Sequence, residues 1–200
     1  INNEDSNLDV RELENKILFY KKKNKKISAV IAVDYAGIPC DWDYLNYLKK
    51  KYNFFLINDN CHALGAKYKG SVKYAVKYAD AVIHSYHPVK NITTGEGGAI
   101  LSNRKDLVNK IRLLSNQSII RSNKKYWHYE IKDLGFNFRL NEIQSSLGSS
   151  QLKKLNKFIS QRRYLSSIYD KRFSTSKIFF PLKISQIKKS AYHLYVIKIN

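Results

Sequence analysis

Two hundred residues, 44% of them hydrophobic and 13% aromatic, are enough for one folded domain with a sizeable core and exclude a disordered chain. The formal net charge of +20 raises nucleic acid or an anionic membrane as partners. The lysines are spread along the chain with no RNA-binding aromatic signature or paired Cys/His set, and no run approaches the roughly 18 apolar residues that span a bilayer, so neither partner is expected.

Cys40 and Cys61 lie far apart in no metal-ligand spacing, and read as reduced thiols of a cytoplasmic protein with no metal site. The chain starts at Ile1, contains no methionine and ends just after the apolar run Leu194 to Ile199. It is therefore expected to be an internal piece of a longer protein.

Taken in chain order, the lysine run at 21–26 marks the polar end of a first helix. Ile27 to Tyr35 reads as a buried strand, and Gly37-Ile38-Pro39 turns the chain. Asp41 to Tyr52 has Trp42, Leu45 and Leu48 at helical spacing, with Asp41 as N-cap and Lys49-Lys50-Lys51 at the far end. Phe54 to Ile57 is the next strand, and a loop with Gly65 and Gly70 follows. Asp80 to Tyr86 and Gly98 to Ser102 are two more strands, and Lys105 to Leu114 is a helix with Leu107, Ile111 and Leu114 on one side. Strand–helix alternation of this kind predicts an α/β fold with a largely parallel sheet.

Ser115 to Tyr126 reads as irregular. Asn141 to Phe158 is helical with Ile143, Leu147, Leu152 and Leu155 as its buried stripe, and the pattern continues through Arg162 to Phe173 with Leu165, Ile168 and Tyr169 as one long segment. Pro181 marks a break, and Tyr192 to Ile199 is expected to open a second domain as its first strand. The expected division is a partial large domain over 1–157 and, over 158–200, a connecting helix with the start of a small α+β domain.

One lysine stands out by its setting. Ser85-Tyr86-His87-Pro88-Val89-Lys90 ends a loop that leaves one apolar strand and leads through Thr93-Thr94-Gly95-Glu96-Gly97-Gly98 into another. A lysine there belongs in a pocket above a sheet edge, and lysine is the residue that forms Schiff bases with carbonyls, pyridoxal phosphate included. About thirty residues upstream, Asp59 closes another apolar strand. A carboxylate so placed is suited to a pyridinium nitrogen.

These segments, together with Val33-Asp34-Tyr35-Ala36-Gly37, Asp59-Asn60-Cys61-His62-Ala63-Leu64-Gly65-Ala66 and Gly135-Phe136-Asn137-Phe138-Arg139, resemble the DegT/DnrJ/EryC1/StrS sugar aminotransferases. The resemblance covers the whole chain. It implies the large domain of a fold-type I pyridoxal-phosphate enzyme, with pyridoxal 5'-phosphate as cofactor. Lys90 falls at the family's catalytic lysine, and Asp59 at the carboxylate facing the pyridine nitrogen. His62 falls at a Gln or His packed on the cofactor ring, and Ser85 at a serine bonded to its phosphate. Asn137 falls at an asparagine that reaches the phosphate in the other subunit of a homodimer with a shared site. His87 and Arg139 are weaker substrate-side candidates: the first more readily shapes its loop, and the second either anchors an anion or braces the loop.

The resemblance further implies conversion of a nucleotide-linked keto-sugar to an amino sugar with glutamate as donor. Ile92 to Glu96, Trp127 to Glu130 and the tail Ser190-Ala191-Tyr192-His193-Leu194-Tyr195 are most similar to the group that aminates a UDP-linked 4-keto-6-deoxy-N-acetylhexosamine in pseudaminic-acid biosynthesis. Lys90 argues against the family's dehydratase branch, which carries His at that position. The chain departs from its relatives at Leu114-Ser115-Asn116-Gln117, where they read Arg-Ser-His-Gly, and it lacks the phosphate-binding turn that the family places earlier, so the isolated piece is expected to bind cofactor poorly. The rival reading is a non-catalytic relative that binds a sugar nucleotide as a sensor or regulator.

Overall fold

The computed structural model describes residues 1–121 and 127–199. In chain order the elements are α1 (Val10–Lys22), β1 (Ala29–Val33), α2 (Trp42–Tyr52), β2 (Phe55–Asp59), β3 (Lys67–Tyr68), α3 (Tyr74–Tyr78), β4 (Ala81–Ser85), β5 (Gly98–Leu101) and α4 (Lys105–Ser115). Then come β6 (Ile119–Arg121), β7 (Tyr129–Ile131), α5 (Glu142–Phe173), β8 (Phe179–Pro181), β9 (Lys188–Lys189) and β10 (Ile197–Ile199).

The central sheet is four-stranded in the order β1-β2-β4-β5. β1, β2 and β4 run parallel, and β5 returns antiparallel to β4 with Ser85 opposite Gly98. The fold class is therefore α/β with a mostly parallel sheet, as expected. Three short antiparallel pairs surround it: β3 with β9, β6 with β7, and β8 with β10.

α2 shows why the core forms where it does. Asp41 caps it by accepting from the Tyr44 N–H at 3.2 Å, and Asn53 ends it in the left-handed conformation (φ 52). Between these stops Trp42, Leu45 and Leu48 recur on one face and are fully buried, beside Leu56 of β2 and Val82 of β4. Each such side chain is worth roughly 1.5–3 kcal/mol of burial. The lysines at 49–51 occupy the last turn, where the helix dipole favours them, and Lys49 also pairs with Asp80 at 2.9 Å.

Several expectations need correction. The long helical segment is one 32-residue helix, α5, as its continuing pattern implies, closed at its start by a capping box between Asn141 and Gln144. Its expected buried stripe is mostly uncovered: Ile143 is 82% exposed, Leu147 40% and Leu152 53%, and the helix meets the core only from Leu155 and Ile159 onward. The periodicity is that of a contact face, but on the first half the contacts fall on Gln144, which donates to the Glu96 carbonyl at 3.1 Å, and on Gly148 beside Thr94, leaving the apolar stripe bare. Leu165, Ile168 and Tyr169 are likewise exposed.

Pro181 does not break the chain; it ends the edge strand β8 opposite Ile197, where a missing N–H costs nothing. The strand expected from Tyr192 is confined to Ile197–Ile199, because Tyr192 adopts φ 46 and the preceding residues dock on the turn at Gly37. The stretch expected to be irregular includes β6, and its last part, 122–126, lies outside the described residues.

Candidate active site

The parallel strands β2 and β4 both end at the same edge of the sheet. Asp59 is the last residue of β2 and Ser85 the last of β4. Carboxyl ends of parallel strands are where α/β sheets hold ligands. From Ser85 the chain makes a tight excursion. The Tyr86 N–H donates to the Gly97 carbonyl at 2.8 Å, and the Tyr86 carbonyl accepts from the Thr94 N–H at 3.0 Å and the Thr93 hydroxyl at 2.9 Å.

Gly97 and Gly98 make that closure possible. A Cβ on Gly98 would meet the His84 carbonyl oxygen at 2.6 Å, and Gly97 sits at φ +142 with Leu140 and Thr94 in the way of any side chain. Lys90 follows the exposed tip, half-buried, with Asn91 and Ile92 buried directly after it. The Asn91 side chain donates to the Leu64 carbonyl at 2.9 Å and ties the lysine to the loop that carries His62.

Asp59, Cys61, His62, Ser85 and Lys90 form one group. The Cys61 N–H donates to Asp59 Oδ1 at 3.1 Å, and the Cys61 thiol donates to the Ile83 carbonyl at 3.8 Å, two residues before Ser85 on β4. Burial, then the Asp59 carboxylate, pushes the Cys61 thiol up to about 12, with Lys90 opposing. His62 is pushed down, first by burial and then by the Lys90 charge, with Asp59 opposing. The His62 shift and the thiol shift therefore each register both Lys90 and Asp59. Among the described residues, the Lys90 amine makes no hydrogen bond or ion pair and Asp59 Oδ2 accepts none. Elsewhere Lys49, Lys51, Lys69 and Lys188 each find a carboxylate.

The sequence reading assigned no role to His193. Its ring lies 4.3 Å from that of His62, and the Nδ1 atoms of both are buried without a partner. Burial, then His62, Lys90 and Arg162, pushes His193 down to about 4. Two devices bring it there. Arg162 of α5 donates to the carbonyls of Tyr192 at 3.2 Å and His193 at 3.3 Å. Gly37, at φ +92, lets the His62 and Tyr192 backbones approach to 2.9 Å of where a Cβ would stand. The tail segment Ser190 to Tyr195 was noticed for its resemblance alone; only the fold shows which of its residues faces His62.

The other candidates lie elsewhere. His87 is exposed; its Nε2 is 3.9 Å from Glu96 and its carbonyl accepts from the Lys90 N–H at 2.9 Å, so its contacts are with its own loop. Asn137 and Arg139 are exposed and bonded to each other at 2.7 Å, and Arg139 also donates to Asn116 at 2.9 Å. They line an open apolar cavity with Ile111, Leu114, Phe136 and Leu140, which Lys90 does not reach. The departure from the family motif falls beside them: Gln117 adopts φ 59, a conformation glycine takes more readily.

The residues present fit pyridoxal phosphate. Among the described residues, an unpaired amine, an unpaired carboxylate oxygen and a half-buried imidazole gather at the carboxyl edge of the parallel strands. Among the described residues no group of His, Cys, Asp and Glu is placed to hold a metal ion, and no helix is long and apolar enough to cross a membrane.

Comparison with known proteins agrees. The chain is 42% identical over 193 residues to the UDP-4-amino-4,6-dideoxy-N-acetyl-beta-L-altrosamine transaminase of Campylobacter jejuni, covering 96% of this chain and 50% of that one. It is 37% identical over 196 residues to the Helicobacter pylori protein of the same name, covering 98% and 50%. The structure superposes on a Helicobacter pylori aminotransferase involved in the biosynthesis of pseudoaminic acid with a TM-score of 0.87 at 36% identity, over 97% of this chain and 50% of that one. The chain thus spans about half the length of the curated relatives it matches. The DegT/DnrJ/EryC1/StrS aminotransferase family model matches residues 1–200, and the chain belongs to that family.

Proposed function

We propose that this chain is part of a pyridoxal-phosphate-dependent aminotransferase that turns the ketone of a nucleotide-linked sugar into an amine. The observation that carries the reading is that the Lys90 amine and the Asp59 carboxylate both act on Cys61 and His62 while neither is paired with an opposite charge among the described residues. Lys90 would hold the cofactor covalently and Asp59 would face its ring nitrogen. His62 would pack on the ring and Ser85 would bond its phosphate. The cofactor supplies an electron sink for a carbanion next to nitrogen.

The chain's own groups do the rest. The Lys90 amine takes the proton from Cα of the amino donor and later returns one to the sugar carbon. Asp59 keeps a proton on the ring nitrogen. Over both halves of the reaction glutamate becomes 2-oxoglutarate and the ketone becomes an amine. The similarity to transaminases named for a UDP-linked sugar supports UDP-4-keto-6-deoxy-N-acetylhexosamine as the substrate, and the charge of +20 favours capture of such an anion. His87 and Arg139 would act on the substrate side.

Asn137 would act from a second copy of the chain. It is exposed, bonded away from the Lys90 group, and shares its face with the uncovered half of α5. We place the division between the cofactor-binding part, 1–157, and the connecting part, 158–200, within α5. The two free cysteines support a cytoplasmic setting.

The test is a half-reaction of the full-length protein loaded with cofactor. Glutamate alone should release one equivalent of 2-oxoglutarate per site, and Lys90→Ala should abolish release by at least a thousandfold, on the scale of losing an acid–base group. Binding of a UDP-sugar with no release of 2-oxoglutarate would favour the sensor reading.

A further inference from the structure

Asp34 follows β1 directly and is 0% exposed, yet no cation pairs with it among the described residues. Its carboxylate instead accepts from five donors. Oδ2 takes the Tyr74 hydroxyl at 2.7 Å, Asn60 Nδ2 at 2.8 Å and Asn58 Nδ2 at 3.2 Å. Oδ1 takes the Cys40 N–H at 2.8 Å and the Trp42 indole N–H at 3.1 Å. An apolar residue would fill this site at less desolvation cost, since a buried anion without a cation is expensive even when fully hydrogen-bonded.

What the arrangement holds is the end of β2. Asp34 takes the side chains of Asn58 and Asn60, and its N–H donates to the Asp59 carbonyl at 3.0 Å. It therefore grips three consecutive residues. Side chains alternate along an extended strand, and Asn58 and Asn60 are buried while Asp59 is half-buried. Pinning Asn58 and Asn60 to the core face commits the Asp59 carboxylate to the opposite face, where Cys61 and His62 register it.

We propose that Asp34 is a positioning residue: through Asn58, Asn60 and the Asp59 backbone it aims the Asp59 carboxylate at the cofactor's ring nitrogen. This rests on the cofactor reading above. An asparagine in its place has a similar shape but offers an NH2 group on one side, so at least two of the five donors lose their acceptor. Tyr74→Phe is the milder variant. It removes one donor on a residue that belongs to neither β2 nor the Lys90 loop and leaves the ring in place.

The test uses full-length protein and three readouts: melting temperature without cofactor, cofactor dissociation constant, and the pH profile of the bound cofactor's visible band. Asp59→Asn sets the direction of a lost ring-nitrogen partner. Asp34→Asn should move the band's pH profile in that direction and weaken cofactor binding about tenfold, the scale of one misaligned hydrogen bond to charge. Tyr74→Phe should do the same to a smaller extent, and carries the test if Asp34→Asn fails to fold. Variants that melt lower but keep the wild-type profile and dissociation constant would overturn the proposal, leaving Asp34 a structural residue. A wild type that shows no cofactor band at all would overturn the cofactor reading and this inference with it.

Discussion

Two groups near the sheet edge, one buried and one half-buried, are shifted in opposite senses. Burial pushes Asp34 up from its ordinary 3.8 to about 6, against the pull of its donors. The folded state then holds a proton that the unfolded state has lost, so this contribution is present below pH 3.8 and lost as pH rises through about 6. His193 is pushed down from 6.5 to about 4, so its contribution is present above pH 6.5 and lost as pH falls toward 4. Comparing each variant with wild type isolates the two. Melting of full-length His193→Gln should depend less steeply on pH on the acid side, and melting of Asp34→Asn should lose the opposing trend between pH 3.8 and 6. Differential scanning calorimetry between pH 4 and 8 reads both, and identical slopes in all three proteins would contradict both assignments. At this scale the sequence showed what lies within one motif. Lys90, Asp59, His62 and Ser85 sit at the ends of apolar runs, and the fold brings them together. It could not show what depends on distant chain. His193 reaches His62 only through Arg162 and Gly37, and Asp34 reaches Asn58 and Asn60 only through strand register.

Strands and helices with one face on the core were readable from their periodicity. The helix expected at Asp41 to Tyr52 and the Lys90 loop between two strands appear within a residue or two of the expected bounds. The two-residue strands β3 and β9 were not readable, because each is defined only by its distant partner. Turns that depend on close approach are the sharper elements. Gly37→Ala should destabilise the protein by about 1–3 kcal/mol, since the new Cβ meets backbone atoms of His62 and Tyr192 at 2.9 Å and the residue sits at φ +92. Chemical denaturation measures it, and an unchanged midpoint would show that the tail does not need this approach to reach His62.

For the molecule as a whole, periodicity announced a stripe on α5 but not what covers it. The exposed side chains Ile143, Leu147 and Leu152 lie on the same helix as the buried Ile159, so burial changes along one face. One face of the sheet is likewise open at Ile31 and Val33, whereas parallel strands are ordinarily covered on both sides. The α5 stripe assigned to a second copy predicts a dimer of the full-length protein. Ile143→Glu, at a position 82% exposed here, should shift it to monomer in sedimentation equilibrium while the monomer keeps its fold. A variant that stays dimeric would remove α5 from the interface.

The central claim is that Lys90, among the many lysines of this chain, carries the cofactor. The most direct measurement is borohydride reduction of the full-length protein with pyridoxal phosphate, followed by proteolysis and mass spectrometry. The account predicts one equivalent of phosphopyridoxyl mass on the peptide containing Lys90 and none on that peptide in Lys90→Ala. A label spread over other lysines, or absent from Lys90, would contradict it.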